Sequence, residues 1–192
     1  MQTNLAYQSE EESWDELIGG KLVTLSPRPM VNHNFVAGNI YIIFANYLHG
    51  KNYTPFVCGT DLYLEEGERY VPDCMVVCDR NKIRANGVHG APDLVVEVLS
   101  PSTAARDKSH KKRVYERCGV REYWIVSPVE RSVEQYVLEE GQFVLRDVYS
   151  IYPEAYLEKF TPEEQARIPR EFRCSLFDDL VIRLEDVFYN LI

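Results

Sequence analysis

The stretch APDLVVEVLSPST, residues 91–103, governs how the rest of the chain is read. Leu94, Val95, Val96, Val98 and Leu99 make a near-continuous apolar run. Such a run marks a strand buried on both faces, at the centre of a mixed or parallel sheet. Glu97 stands in the middle of it. A carboxylate in that setting either titrates well above its ordinary range or finds a cation. The strand therefore predicts a positive partner for Glu97.

Reading outward, Ser100-Pro101-Ser102-Thr103 offers capping hydroxyls ahead of a helix over about 104–117, and Cys118-Gly119 stops that helix. REYWIVSP (121–128) is the next strand, ended by Pro128. A strand–helix–strand unit over 91–128 implies parallel pairing with a right-handed crossover. SVEQYVLEEGQFVLRDVYS (132–150) reads as a hairpin turning at Glu140-Gly141. Upstream, Val36, Ile40, Ile43, Phe44 and Tyr47 recur at helical spacing over 33–47, with Asn32 or Asn34 as the cap. Residues 53–64 read as one strand or a bent pair, and 67–79 as a turn and a strand. Residues 80–90 read as a loop, and 13–26 as a short helix or turn, a Gly-Gly turn and a strand. Residues 151–175 are rich in proline and charge, with a short helix at Thr161-Pro162, and 180–192 read as a strand running into a helical turn. The fold class is α/β, a mixed central sheet flanked by helices with an added antiparallel hairpin.

The chain has 192 residues, which predicts one domain over 1–192, with 1–12 as an acidic flexible tail. Hydrophobic content of 45% and charged content of 27% are ordinary for a globular protein. No apolar run approaches the roughly 20 residues that span a bilayer, and the start lacks the order of a signal peptide. A cytoplasmic protein with no membrane partner is expected. The cysteines 58, 74, 78, 118 and 174 are odd in number and form no CxxC pair. Cys74 and Cys78 are better read as buried apolar groups than as half of a zinc site. A net charge of −9 argues against a nonspecific nucleic-acid coat, yet RDKSHKKR (106–113) concentrates five Lys/Arg on one segment.

Two strands each present one acid from an apolar context, Asp73 in YVPDCMVV and Glu97 in DLVVEVLS. Alternation puts Asp73 on the face of Met75 and Val77, and Glu97 on that of Val95 and Leu99. If the strands are neighbours, the two carboxylates converge and a divalent cation relieves their repulsion. Hard oxygen ligands suit Mg²⁺, which also keeps waters and takes phosphate oxygens. On the following helix Asp107, Lys111 and Tyr115 share one face, so Lys111 can look back over Glu97, with Lys108 and Lys112 as substitutes. Each residue also has a plainer reading. Asp73 can be a strand-entry aspartate, Glu97 a partner of Arg106 or Lys108, and Lys111 a solvated lysine paired with Asp107. Glu16 and His33 rank second: Glu16 as a further ligand or water-orienting group, or more plainly a solvated acid before a tight turn, and His33, at the start of the first long helix, reads better as a histidine satisfied by backbone. Asp93 shares the Glu97 face but stands four residues off, roughly 13 Å. Ser100 and Ser102 read as caps, and Tyr115, Tyr123 and Trp124 as packing.

Pro72-Asp73, Glu97 and a nearby lysine resemble the pattern of the PD-(D/E)XK nuclease superfamily. More closely, the chain resembles a bacterial family of "putative restriction endonucleases", domain of unknown function 820. The resemblance rests on WDELIGGKLVTLSP, NHN (32–34), YVPDCMVV, PDLVVEVLSPST, the Asp107–Lys111–Tyr115 helix, GVREYWIVSP and LFDDLVIRLEDVF. It implies a restriction-endonuclease-like core and an Mg²⁺ site, in which Mn²⁺ can substitute, held by Asp73 and Glu97. It implies that Lys111 assists hydrolysis of a DNA phosphodiester. The superfamily places its lysine two residues after the acid, where this chain has Leu99. Two functions follow as expectations: an Mg²⁺-dependent DNA endonuclease acting as a homodimer, or an inactive module of the same fold that binds nucleic acid or a protein. Specificity would come from residues 80–90 and 151–175.

Overall fold

The computed structural model describes residues 15–24 and 29–192, so the expected tail over 1–12 lies outside the described residues. In chain order the strands and main helices are β1 (Asp15–Ile18), β2 (Lys21–Thr24), α1 (Val31–Leu48), β3 (Thr54–Val57), β4 (Leu62–Tyr63), β5 (Arg69–Tyr70) and β6 (Cys74–Val77). They continue with β7 (Ile83–Arg84), β8 (Gly87–His89), β9 (Leu94–Val98), the helix α2 over 104–118, β10 (Glu122–Ser127), β11 (Ser132–Glu139), β12 (Gln142–Ser150), β13 (Glu171–Arg173) and β14 (Val181–Arg183).

The main sheet has the order β12-β11-β10-β9-β6-β3. Strands β9 and β10 pair in parallel, joined by α2, and every other pairing in that sheet is antiparallel. The apolar run is thus a central strand, and Leu94–Val98 is buried throughout. Alternate residues feed two cores. Cys74, Val76, Leu94, Val96, Val98 and Trp124 pack toward α1 and the C-terminal segment. Met75, Val77, Val95, Tyr123 and Ile125 pack on the opposite face, with Val114 and Tyr115 of α2 and Leu62, Tyr70 and Val88 of a second sheet. Burying one such side chain contributes about 1.5–3 kcal/mol, so the two-faced strands supply the main stabilisation. Trp124 ties the first core together, its ring 5.5 Å from Phe44 and 5.0 Å from Phe172.

The second sheet, β2-β1-β5-β4-β8-β7, is made of short strands and differs from several expectations. Asp15–Ile18 is a strand hairpinned to β2, not a helix or turn. Its apolar residues are too few for a helical stripe, and pairing with β2 and β5 satisfies the backbone instead. Residues 53–64 split into β3 and β4, which belong to different sheets. The segment 80–90 is not a plain loop, because β7 and β8 form a hairpin within it. Gly87 makes that hairpin possible: at φ +139°, a Cβ there would meet the Asp61 carbonyl oxygen at 2.3 Å. Helix α1 starts at Val31 behind Met30, without the asparagine cap expected from the sequence.

Helix α2 stops at Gly119, whose left-handed φ of 86° lets its N–H reach back to the last turn, as the Cys118-Gly119 signal predicted. The β11–β12 hairpin turns at Glu140 and Gly141, also as expected. Between β12 and β13 lie short helical turns at Glu154–Leu157 and Pro162–Gln165. Thr161 and Glu164 form a reciprocal capping box on the second. No described helix is long and apolar enough to cross a membrane. All five cysteines are free, and Cys74 is buried in the first core.

Candidate active site

Register builds the site first. Strands β6 and β9 run antiparallel with Cys74 opposite Val96. One step further along, that register sets Asp73 beside Glu97, and opposed residues of a sheet project to the same face. Asp73 is held there by its own strand neighbour: Oδ2 accepts from the Val98 N–H at 2.7 Å. His33, from the first turn of α1, approaches the same oxygen through Nε2 at 3.3 Å. The Cys58 thiol lies 3.6 Å from Asp73 Oδ1.

Glu97 is 3% exposed and faces α2. Its Oε1 accepts from Lys111 Nζ at 3.1 Å and from the Tyr115 hydroxyl at 2.6 Å. The predicted cation is therefore Lys111, 2% exposed. Helix α2 reaches it through an irregularity. Its α-helical turns at Ala104–Arg106 and Lys112–Cys118 flank a π segment, Asp107–Lys111. Four residues overshoot a full α-turn by about 40°, whereas the wider π turn undershoots. The two departures offset one another and keep Asp107, Lys111 and Tyr115 aligned over Glu97.

Lys111 holds two more acids. Glu16 Oε1 lies 2.8 Å from Nζ, and Asp107 Oδ1 3.4 Å. Glu16 comes from β1 and is fully buried; its Oε1 also accepts from the Val71 N–H at 3.0 Å, while its Oε2 has no hydrogen-bond partner. Three buried carboxylates thus share one lysine. Burial pushes the Glu97 carboxyl well above its ordinary range, and Lys111 offsets this only in part. Asp107 is raised for the same reason and with the same opposition. Burial would pull Lys111 down, but Glu97, Glu16 and Asp107 outweigh it and hold the ammonium charged. His33 is also raised: burial pulls it down, and the hydrogen bond and charge of Asp73 prevail.

All five residues singled out in the sequence, Glu16, His33, Asp73, Glu97 and Lys111, line one cleft of about 430 Å³, rimmed by Ser100, Pro101, Ser102, Thr103 and Arg106 with Pro29, Met30 and Val71. The substitute lysines face elsewhere: Lys108 pairs with Glu134 at 2.6 Å, and Lys112 lies 3.5 Å over the Tyr136 ring. Leu99, at the place the superfamily gives its lysine, packs against the second core. Asp93 accepts from the Cys78 N–H at 2.7 Å and is not part of the cleft lining. The reading of Ser100 and Ser102 as caps needs correction. Thr103 precedes α2 without a side-chain cap bond, and the three hydroxyls bond one another, Ser100 to Ser102 at 3.1 Å and to Thr103 at 3.0 Å.

The sequence had placed Asp107 on the lysine face and Tyr115 in the packing, without a site role for either; both are in contact with the buried charges. The sequence offers Arg106 as a partner for Glu97, yet no acid is paired with it among the described residues. Its one signal in the sequence was its position, three residues after the Ser-rich turn.

The donor set is oxygen-rich, which suits Mg²⁺ rather than zinc. Among the described residues no three His, Cys, Asp or Glu groups are disposed to hold an ion together. Magnesium does not require three, because it keeps waters and binds through one or two carboxylates plus substrate phosphate. The orphaned buried Oε2 of Glu16 is a further acceptor waiting for a cation or a water. Asp73 and Glu97 fit such an ion.

Residues 2–170 match the family Uma2, described as "Putative restriction endonuclease". Two proteins of Synechocystis sp. are similar, both described only as uncharacterized. Sll1609 is 30% identical over 135 residues, 67% of this chain and 76% of that protein. Slr1290 is 30% identical over 107 residues, 55% of this chain and 56% of that protein, so the chain spans just over half its length. Among solved structures, a "putative nuclease belonging to DUF820" from Anabaena variabilis superposes with a TM-score of 0.67 at 19% identity, covering 91% of this chain and 89% of that one. At that identity the likeness concerns the fold alone.

Proposed function

Since this chain belongs to the Uma2 family of "putative restriction endonucleases", we propose that it is an Mg²⁺-dependent endonuclease that hydrolyses DNA phosphodiester bonds. One observation carries the reading. Two acids from adjacent central strands, Asp73 and Glu97, meet in a single cleft with a buried lysine 3.1 Å from one of them.

In this proposal Asp73 and Glu97 hold the ion. Bound there, magnesium would polarise a phosphoryl oxygen and acidify a water. The chain's own groups do the rest. The Val98 N–H and His33 fix the Oδ2 edge of Asp73, and Oδ1, which among the described residues meets only the Cys58 thiol at 3.6 Å, would face the ion. Tyr115 fixes Glu97 in the same way. Lys111, its charge shared among Glu16, Glu97 and Asp107, would hold the acids in position and lend the field that remains to the negative charge developing on the phosphate oxygens. His33, with Nε2 3.3 Å from Asp73, would orient that carboxylate and a water beside it. A homodimer would place two clefts on two strands. The segment 106–113 is not a uniform basic face, since Lys111 is buried and Lys108 is paired.

The inactive-module reading has one observation in its favour. Lys111 already occupies oxygens of Glu16 and Glu97 that an ion would compete for. Calorimetric titration of Mn²⁺ into wild type and Asp73→Ala/Glu97→Ala, with and without duplex DNA, separates the two. Binding that vanishes in the double variant, together with cleavage lost in Asp73→Ala, is the expected result. Metal-dependent cleavage that survives Asp73→Ala sinks the proposal, and absence of both ion binding and cleavage favours the module.

A further inference from the structure

Polyanion binding in this cleft meets an electrostatic obstacle. Its floor and surroundings carry Glu16, Asp73, Glu97 and Asp107, and the one lysine among them is already shared by three carboxylates. A phosphodiester approaching that floor needs a cation that is not already committed. Of the cations lining the cleft, Lys111 is consumed by its three acids, and His33 by Asp73. Arg106 remains. It lines the rim one helical turn before the lysine, and no ion pair to it is found among the described residues. Its Nε is buried and has no hydrogen-bond partner. A guanidinium donor kept dry and unpaired is unfavourable in the free protein and is explained by a ligand that accepts from it. Beside it on the same rim stand the hydroxyls of Ser100, Ser102 and Thr103, linked to one another at 3.0–3.1 Å. Three hydroxyls carry three O–H donors and the two contacts among them use two, so the cluster keeps one donor for a ligand besides its lone pairs.

We infer that Arg106, with the Ser100–Thr103 hydroxyl cluster, is the seat of a substrate phosphate at the mouth of the cleft. The inference rests on the nuclease reading for the identity of the substrate, but the seat itself requires only phosphate. A planar guanidinium matches two phosphate oxygens at once, which a lysine does not. The donor left over in the hydroxyl cluster would reach a further phosphate oxygen. Arg106 thereby sets the register of the strand relative to Asp73 and Glu97, and it supplies the positive potential that an acidic protein otherwise lacks at this face.

The test uses the full chain with Arg106→Gln and Arg106→Lys. Loss of a charge-assisted contact should weaken binding of duplex DNA, measured by fluorescence anisotropy in Ca²⁺, by about ten- to a hundredfold. The slope of log K against log salt should fall by about one. Arg106→Lys should recover the salt slope but not the full affinity. A second arm follows line broadening of inorganic phosphate in ³¹P spectra, expected with wild type and absent with Arg106→Gln. Thermal stability and Mn²⁺ binding should be unchanged or slightly improved, because the substitution removes an unsatisfied donor. A purely structural arginine would give the reverse, a lower melting temperature with DNA and phosphate binding intact, and that result overturns the inference. Phosphate held through Arg106 by a wild type that never cleaves DNA would sink the nuclease reading and leave the seat standing.

Discussion

Replacing Lys111 with methionine keeps the length of the side chain and removes its charge. Three carboxylates, Glu16, Glu97 and Asp107, each no more than 3% exposed, then lose their shared cation. The cheapest response is protonation. Lys111 opposes the upward displacement of both Glu97 and Asp107, so in the variant both rise further. The folded state then holds a proton that the unfolded chain releases near pH 4.3, and stability falls as pH rises above that value. For one glutamate ionised in wild type and kept protonated in the variant, the cost is at most about 1 kcal/mol at pH 5 and about 5 kcal/mol at pH 8, less the share that wild-type Glu97, itself raised, already bears. The upper figure agrees with the roughly 3–5 kcal/mol for removing one partner of a buried pair. At pH 8 a cost of about 3–5 kcal/mol corresponds to a melting temperature lower by about 6–20 °C in a chain of this size. Urea denaturation and thermal melts at pH 5 and pH 8, on wild type and Lys111→Met, measure the difference directly. A destabilisation of equal size at both pH values, or none at pH 8, would refute the assignment of Lys111 as the shared counter-charge.

Two further outcomes concern other parts of the molecule. In Asp73→Asn the charge that raises His33 is lost, so the imidazole should titrate at or below its ordinary value, as followed by NMR. A raised histidine stabilises fully below about pH 6.5 and loses that contribution as pH climbs through its folded value, so Asp73→Asn should be more destabilising at pH 6 than at pH 8. Glu122→Ala tests a buried carboxylate outside the cleft. It accepts from Trp124 Nε1 and Gln135 Nε2, both at 2.6 Å, from the Ser175 N–H at 2.8 Å and from the Ser175 hydroxyl. Leaving those donors unpaired should cost about 3–5 kcal/mol in urea denaturation while Mn²⁺ binding stays unchanged.

The central strand and its crossover were legible because their signals are local. An apolar run with one acid, a Ser/Thr turn, a helical stripe and a Cys-Gly stop lie within about forty residues. The hairpin at Glu140-Gly141 was legible for the same reason. The second sheet was not, because strands of two to four residues leave too little periodicity to count. Asp15–Ile18 is a strand only through its partners, β2 beside it and Arg69 far along the chain. The five site residues could be named in advance, but with unequal grounds. Glu97 announced itself by the cost of its surroundings. Glu16 carried no such signal, since its burial arises only when the Val71 N–H and Lys111 close over it.

The residues alone determined that a cation must meet Glu97 and that helix α2 could supply it, because side-chain direction along a strand or a helix follows from backbone geometry. Which lysine would arrive was settled by a π turn, and that turn leaves no mark in composition or spacing. That Asp73 stands beside Glu97 depends on the register of two strands some twenty residues apart, which only packing of both faces of the sheet fixes. The sharing of one charge among three acids, and the isolation of Arg106 from all of them, belong to tertiary structure for the same reason. Electrostatic neutrality is decided by neighbours in space, and the chain order does not contain them.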